Sequence, residues 1–184
     1  MSLMEKTGTP VGNYAPDFEL PGIDKQVHHL SRYLETFRAV GVIFICNHCS
    51  YVRSYIQRLR ELQSEFRFQD CTLIGINAND AQQEPEEGFE EMKLFAQQVS
   101  LNFPYLWDPT QDVARSFGAG KTPEAFLIDQ AGTLRYSGQI DDNPMHPEAV
   151  EVPYFRNAIA ALLNNQEVKP TSTEAIGSPI QWRR

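Results

Sequence analysis

The sequence predicts an α/β domain: a mixed β-sheet covered by helices on both faces. Three observations carry this. Residues 39–45 and 71–77 are predominantly apolar runs without charge, as strands buried on both sides require. Each is followed by a segment whose apolar residues recur at helical spacing. Near residue 125 the pattern changes to two short apolar runs around Gln130-Ala131-Gly132, a hairpin signature that adds antiparallel strands to the parallel pair.

Taken in order, residues 1–10 form a remnant and arm: Met1-Ser2-Leu3 before Met4 reads as a cloning remnant, and the polar stretch after it carries Gly and Pro. The domain is expected from 11 to 165. Residues 15–22 read as a short strand stopped by Pro21-Gly22, and 25–30 as its hairpin partner. Ser31 is placed to cap a short helical turn through Leu34. The strand of 39–45 leads into Cys46-Asn47-His48-Cys49, and a helix follows from Ser50 to about Phe66. Val52, Ile56, Leu59, Leu62 and Phe66 share one face of that helix.

The second strand, 71–77, runs into Asn77-Ala78-Asn79-Asp80. The acidic run 84–91 reads as a solvated loop and first helical turn, where negative charge suits the helix dipole. Phe89, Met92, Ala96 and Val99 give that helix its apolar face. Residues 103–108 form a short edge-like strand. Thr110 is placed to cap a helix carrying Val113, Ala114 and Phe117 and ending at Gly118. After the hairpin, Phe155, Ile159, Leu162 and Leu163 mark a last helix over about 153–163. Residues 166–184 are a polar C-terminal tail containing proline.

The 184 residues, 41% of them hydrophobic, suit one domain with a sizeable core. A net charge of −8 and a pI of about 5.0 argue against nucleic acid and anionic membranes, which need clustered Lys and Arg. No apolar stretch is long enough to cross a membrane, and no signal peptide is expected. Three cysteines do not make a disulfide scaffold, so a reducing, cytoplasmic location is expected.

The chemistry centres on Cys46 and Cys49. Two thiols three residues apart at the mouth of a helix can close a disulfide. The helix dipole and backbone N–H groups there favour a thiolate. A zinc site would need two further ligands. The remaining candidates, Cys71, His28, His29 and His146, lack the spacing, so neither metal nor other cofactor is expected. Cys71 reads as an inert core thiol.

Cys46-Asn47-His48-Cys49 at a strand-to-helix junction, with Thr122-Pro123 before Phe126-Leu127-Ile128-Asp129-x-x-Gly132, resembles the thioredoxin superfamily. Ala15-Pro16-Asp17-Phe18-x-Leu20 narrows the resemblance to its redoxin branch, which includes the AhpC/TSA peroxiredoxins and the TlpA/ResA thiol oxidoreductases. Phe103-Pro-Tyr-Leu-x-Asp108, Gln111-x-Val-Ala and Ile140-Asp-Asp142 are similar to bacterial redoxin-domain proteins, and the likeness spans about 11–163.

The resemblance implies a thioredoxin-like sheet with an N-terminal hairpin extension. It implies a thiol–disulfide oxidoreductase with Cys46 attacking and Cys49 resolving, His48 tuning the Cys46 thiolate, and Asn47, Thr122 and Pro123 facing the substrate. Its partners would be protein or small-molecule thiols and disulfides and an unidentified reductant, in antioxidant chemistry and cell redox homeostasis. Pro123 matches the superfamily's cis-proline, which leaves the backbone of Thr122 free to pair with a peptide laid across the site.

There are departures. Ser50 stands where relatives commonly have Pro, and Lys121 where many have Cys. Gly177-Ser178-Pro179-Ile180-Gln181-Trp182 resembles a C-terminal segment whose cysteine is missing here. No Asp or Glu lies between Arg38 and Cys46, so the buried carboxylate that thioredoxin uses as proton acceptor is absent from that strand. With no opposing charge there, Cys46 is expected to have the lower pKa of the pair, and the disulfide to be more oxidising than thioredoxin's.

Two other readings compete. A peroxidase of the AhpC/TSA type would need Pro and Thr upstream of the cysteine and a later Arg. Counting from Cys49, those positions hold Val42 and Cys46, and the Arg position holds Pro123. A non-catalytic binding domain on the same fold would not need both cysteines.

Overall fold

The computed structural model describes residues 8–184; the remnant and the first part of the arm lie outside them. A five-stranded sheet has the order β5-β4-β3-β7-β8. Strands β3 (Ala39–Phe44), β4 (Cys71–Asn77) and β5 (Tyr105–Trp107) run parallel. Strands β7 (Glu124–Asp129) and β8 (Leu134–Gly138) complete the sheet in antiparallel register. The short hairpin of β1 (Glu19–Pro21) and β2 (Val27–His29) forms the N-terminal extension. This is the expected mixed sheet.

Strand β3 is central and completely buried, which explains its lack of polar alternation. Ala39 and Ile43 face the core under α2 (Ser50–Phe66), α3 (Phe89–Gln98) and α5 (Tyr154–Leu163). Val40, Val42 and Phe44 face the opposite core, which α4 (Asp112–Phe117) and the N-terminal hairpin close with Phe117, Phe18 and Leu20. Rings of Phe44, Phe117 and Phe126 meet edge to face at centroid separations of 5.1–5.7 Å.

Two helix starts differ from expectation. Helix α1 is Leu30–Thr36, entered from an extended His29 without a side-chain cap, so Ser31 lies inside its first turn. Helix α4 begins at Asp112 after Gln111, whose φ is 66°; Thr110 Oγ1 accepts the Asp112 N–H at 3.3 Å.

Residues 166–184 lie against the domain. Val168, Ala175 and Ile180 are buried, and β9 (Ser178–Pro179) pairs with β6 (Lys121–Thr122). Neither two-residue strand is visible in the sequence pattern. No helix among the described residues is long and apolar enough to cross a membrane.

Candidate active site: a buried dithiol between a carboxylate and the C-terminal strand

Strand β3 delivers the chain to the site, and Ile45 continues its ladder by donating its N–H to Ile76 at 2.9 Å. The chain then leaves the sheet, so Cys46 lies in the connection, and the residue capping α2 is Cys49. Both thiols are free and buried, close enough to shift each other's pKa. The Thr122–Pro123 bond is cis, and the Thr122 hydroxyl donates to Cys46 Sγ at 3.4 Å. The structure thus brings Cys46, Asn47, His48, Cys49, Thr122 and Pro123 to one place.

It also brings a residue that the sequence reading left in solvent. Glu87, at the end of the 3₁₀ turn Pro85–Glu87, is 3% exposed. Its carboxylate accepts the backbone N–H of Asn47 at 2.8 Å, the N–H of His48 at 2.9 Å and the Asn77 side-chain amide at 2.9 Å. Tyr105 donates its hydroxyl to Asn47 Oδ1 at 2.7 Å and accepts from Asn77 at 3.1 Å, closing the network. Burial pushes the Glu87 carboxyl up, against the pull of the three N–H donors. The acidic run is therefore divided: Glu86, Glu90 and Glu91 are exposed, and Glu87 is a wall of the site. The buried carboxylate missing from β3 is supplied from another element.

This reverses the expected order of the thiol pKa values. Cys46 is raised, by its hydrogen bond to Cys49, by burial and by the Glu87 charge beside it. Cys49 is lowered to about 5 by the Cys46 thiol, with help from the Ser178 hydroxyl at 3.1 Å and the Val52 N–H. The Asn47 and His48 N–H groups, which favour a thiolate where they are free, are taken by Glu87. Of the N–H groups at the helix start, that of Val52 acts on Cys49, the N-cap residue of α2. The exposed His48 ring makes no hydrogen bond to either sulfur among the described residues, and its charge acts on Glu87.

Thr122 is not free either. In register with Ser178, it forms an antiparallel bridge to the chain's own C-terminal strand. Gly177 makes the close approach possible, since a Cβ there would lie 2.3 Å from the Thr122 carbonyl oxygen. Cys71 lies apart, 1% exposed in β4, its pKa pushed up to about 12 by burial. No group of three or more His, Cys, Asp or Glu among the described residues is arranged to hold a metal ion.

Residues 11–137 match the AhpC/TSA family. The chain belongs to the AhpC/TSA family. A thiol-disulfide oxidoreductase ResA of Geobacillus kaustophilus (strain HTA426) is 30% identical over 149 residues, 80% of this chain and 78% of that one. A ResA of Geobacillus thermodenitrificans (strain NG80-2) is 30% identical over 133 residues, covering 71% and 70%. Among solved structures, an uncharacterized conserved protein from Geobacillus kaustophilus superposes with a TM-score of 0.88 at 35% identity, covering 95% of this chain and 93% of that one. The likeness to the thioredoxin domain of an oxidoreductase from Bacteroides vulgatus is one of fold: TM-score 0.60 at 17% identity, over 86% and 96% of the chains. In this AhpC/TSA member the fold is thioredoxin-like, and the pair Cys46–Cys49 occupies the strand-to-helix junction.

Proposed function

We propose that this AhpC/TSA protein is a thiol–disulfide oxidoreductase that exchanges disulfides with thiol and disulfide substrates through Cys46 and Cys49. The observation that carries this is the pair itself: two free, buried thiols three residues apart at a helix start, with the Thr122 hydroxyl donating to Cys46 Sγ. The names of the ResA relatives support the same reading.

In the resting reduced site the charge sits on Cys49 and the proton on Cys46. Cys46 attacks one sulfur of a substrate disulfide as its proton passes to the neighbouring Cys49 thiolate. The substrate S–S bond breaks, and its first half leaves as a thiolate that takes the proton from Cys49. The renewed Cys49 thiolate attacks Cys46 Sγ, closing the internal disulfide and releasing the second half of the substrate. Two electrons move from the pair to the substrate, and an external reductant, unidentified here, restores the dithiol. Thr122 and Pro123 shape the substrate side of the pair, whereas Asn47, expected to face substrate, is turned inward, buried and bonded to Tyr105 and Glu86. His48 tunes the pair through Glu87.

Single-cysteine variants test the roles. With a disulfide substrate, Cys49→Ser accumulates a stable mixed disulfide on Cys46, visible by mass spectrometry, and Cys46→Ser does not. Trapping only in Cys46→Ser would reverse the assignment, and no mixed disulfide in either variant would remove the function. A cytoplasmic location, suggested by the sparse cysteine usage, is part of this proposal and is tested by cell fractionation.

A further inference from the structure

The strand edge beside the dithiol is already filled by the chain's own C-terminal segment. Thr122 is bridged to Ser178 and Lys121 to Pro179, and Ile180 donates its N–H to the Gly120 carbonyl at 3.0 Å. The Ser178 hydroxyl stands 3.1 Å from Cys49 Sγ, so the segment reaches the dithiol itself.

This segment is tied down on both sides. Upstream, Thr173 donates its N–H to the Ser137 carbonyl at 3.0 Å, and Ser137 donates its own to Thr171 at 3.1 Å. Downstream, Ile180 is 3% exposed within the core above Phe44 and Phe117. The Gln181 carbonyl accepts both the Asp80 N–H and the Gln111 side-chain amide at 2.9 Å, and its N–H goes to Asn79 Oδ1 at 3.0 Å. Such a segment is a wall rather than a hinged flap. What remains open at the dithiol is a cavity of about 190 Å³ between the two cysteines, Glu87, Thr122 and Ser178. That is smaller than the roughly 300–1,000 Å³ of ordinary ligand pockets.

We infer that the substrate of this site is a low-molecular-weight disulfide, and that an extended polypeptide is excluded because β9 occupies the edge to which it would add. This rests on the oxidoreductase reading above and deepens it by naming the substrate class.

The test is single-turnover oxidation of the reduced full-length protein, followed by acid quench, thiol alkylation and mass spectrometry. Two oxidants are compared: 2-hydroxyethyl disulfide, and insulin as a polypeptide disulfide. The expected second-order rate constant for the small disulfide exceeds that for insulin by about a hundredfold. Ile180→Ala removes an anchor outside the chemistry. It is expected to raise the insulin rate by about tenfold while leaving the small-disulfide rate unchanged. If that variant does not fold, as judged by circular dichroism, the wild-type ratio decides alone. Insulin oxidising the wild-type protein as fast as the small disulfide would overturn the inference and leave the oxidoreductase reading standing. Oxidation by neither would overturn both.

Discussion

The carboxylate of Glu87 accepts the backbone N–H of Asn47 at 2.8 Å, so the dipeptide between the cysteines is held by an acid from a distant turn. Those N–H groups are the ones a thiolate at Cys46 would otherwise use. Glu87 thus fixes the shape of the motif and opposes negative charge on its first sulfur.

Glu87→Gln is accordingly expected to lower the Cys46 pKa by roughly one pH unit or more, by deleting a buried like charge. The Gln side-chain oxygen can still accept one of the two N–H groups, so the loop keeps part of its support. A thiolate absorbance titration of wild type and variant reads the change. An unmoved or higher Cys46 pKa would show that Cys49 and burial set it without Glu87.

The pH dependence of stability follows from the Cys49 thiol. Its folded pKa, about 5, lies below its ordinary value of 9.0. A depressed acid stabilises the fold above its unfolded pKa, and the effect is lost as pH falls through the folded value. The reduced protein is therefore expected to gain stability from about pH 5 to about pH 9, while the oxidised protein lacks this gain. Above that window, Cys46, held protonated in the fold, reverses the slope. Urea unfolding of both redox forms across the range is the measurement, and parallel curves for the two forms would contradict it.

How much of this was legible in the sequence depends on how local each signal is. Strand β3 and helix α2 announce themselves by uncharged β-branched composition and by the spacing of Val52, Ile56, Leu59, Leu62 and Phe66. The pair Cys46 and Cys49 sits where those two patterns meet. Glu87 was not legible, because it is one of several acids in a run and only tertiary burial separates it from Glu86. The C-terminal strand was hidden because two paired residues, Ser178 and Pro179, carry no period. Its signals are the resemblance over residues 177–182 and the apolar Ile180 and Trp182 within it, both of which pack on the core around Phe117.

The polar network behind the motif is a stability element in its own right. Tyr105 is 1% exposed, and its hydroxyl joins Asn47 to Asn77. Tyr105→Phe leaves the Asn47 carbonyl without that donor in a buried place, at an expected cost of about 1–3 kcal/mol. Thermal unfolding of the variant checks this, and a midpoint equal to wild type would mean that Asn47 finds another donor.

Hydrogen peroxide is expected to be a poor substrate despite the family. The positions that would carry the peroxidase Pro, Thr and Arg hold Val42, Cys46 and Pro123, of which Val42 is a core residue of β3. The Thr and Arg that would orient a peroxide are therefore missing from those positions. Stopped-flow measurement of thiol oxidation by peroxide, at rates typical of dedicated peroxidases, would contradict this.

The disulfide itself is expected to be more oxidising than that of thioredoxin, now for a reason that lies at Cys49. At pH 7 a thiolate with a pKa of about 5 is ionised in the fold, whereas an ordinary thiol is not. That difference stabilises the reduced state, and a stabilised reduced state makes its disulfide the stronger oxidant. Cys46 is protonated at that pH in the fold and in an ordinary thiol alike, so it does not offset the gain. Equilibration with glutathione is expected to place it above thioredoxin's value of about −270 mV. Ser178→Ala, which removes the hydroxyl that helps to lower the Cys49 thiol, should move it lower. A potential at or below thioredoxin's, or Ser178→Ala shifting it upward, would mean that Cys49 does not carry the resting charge.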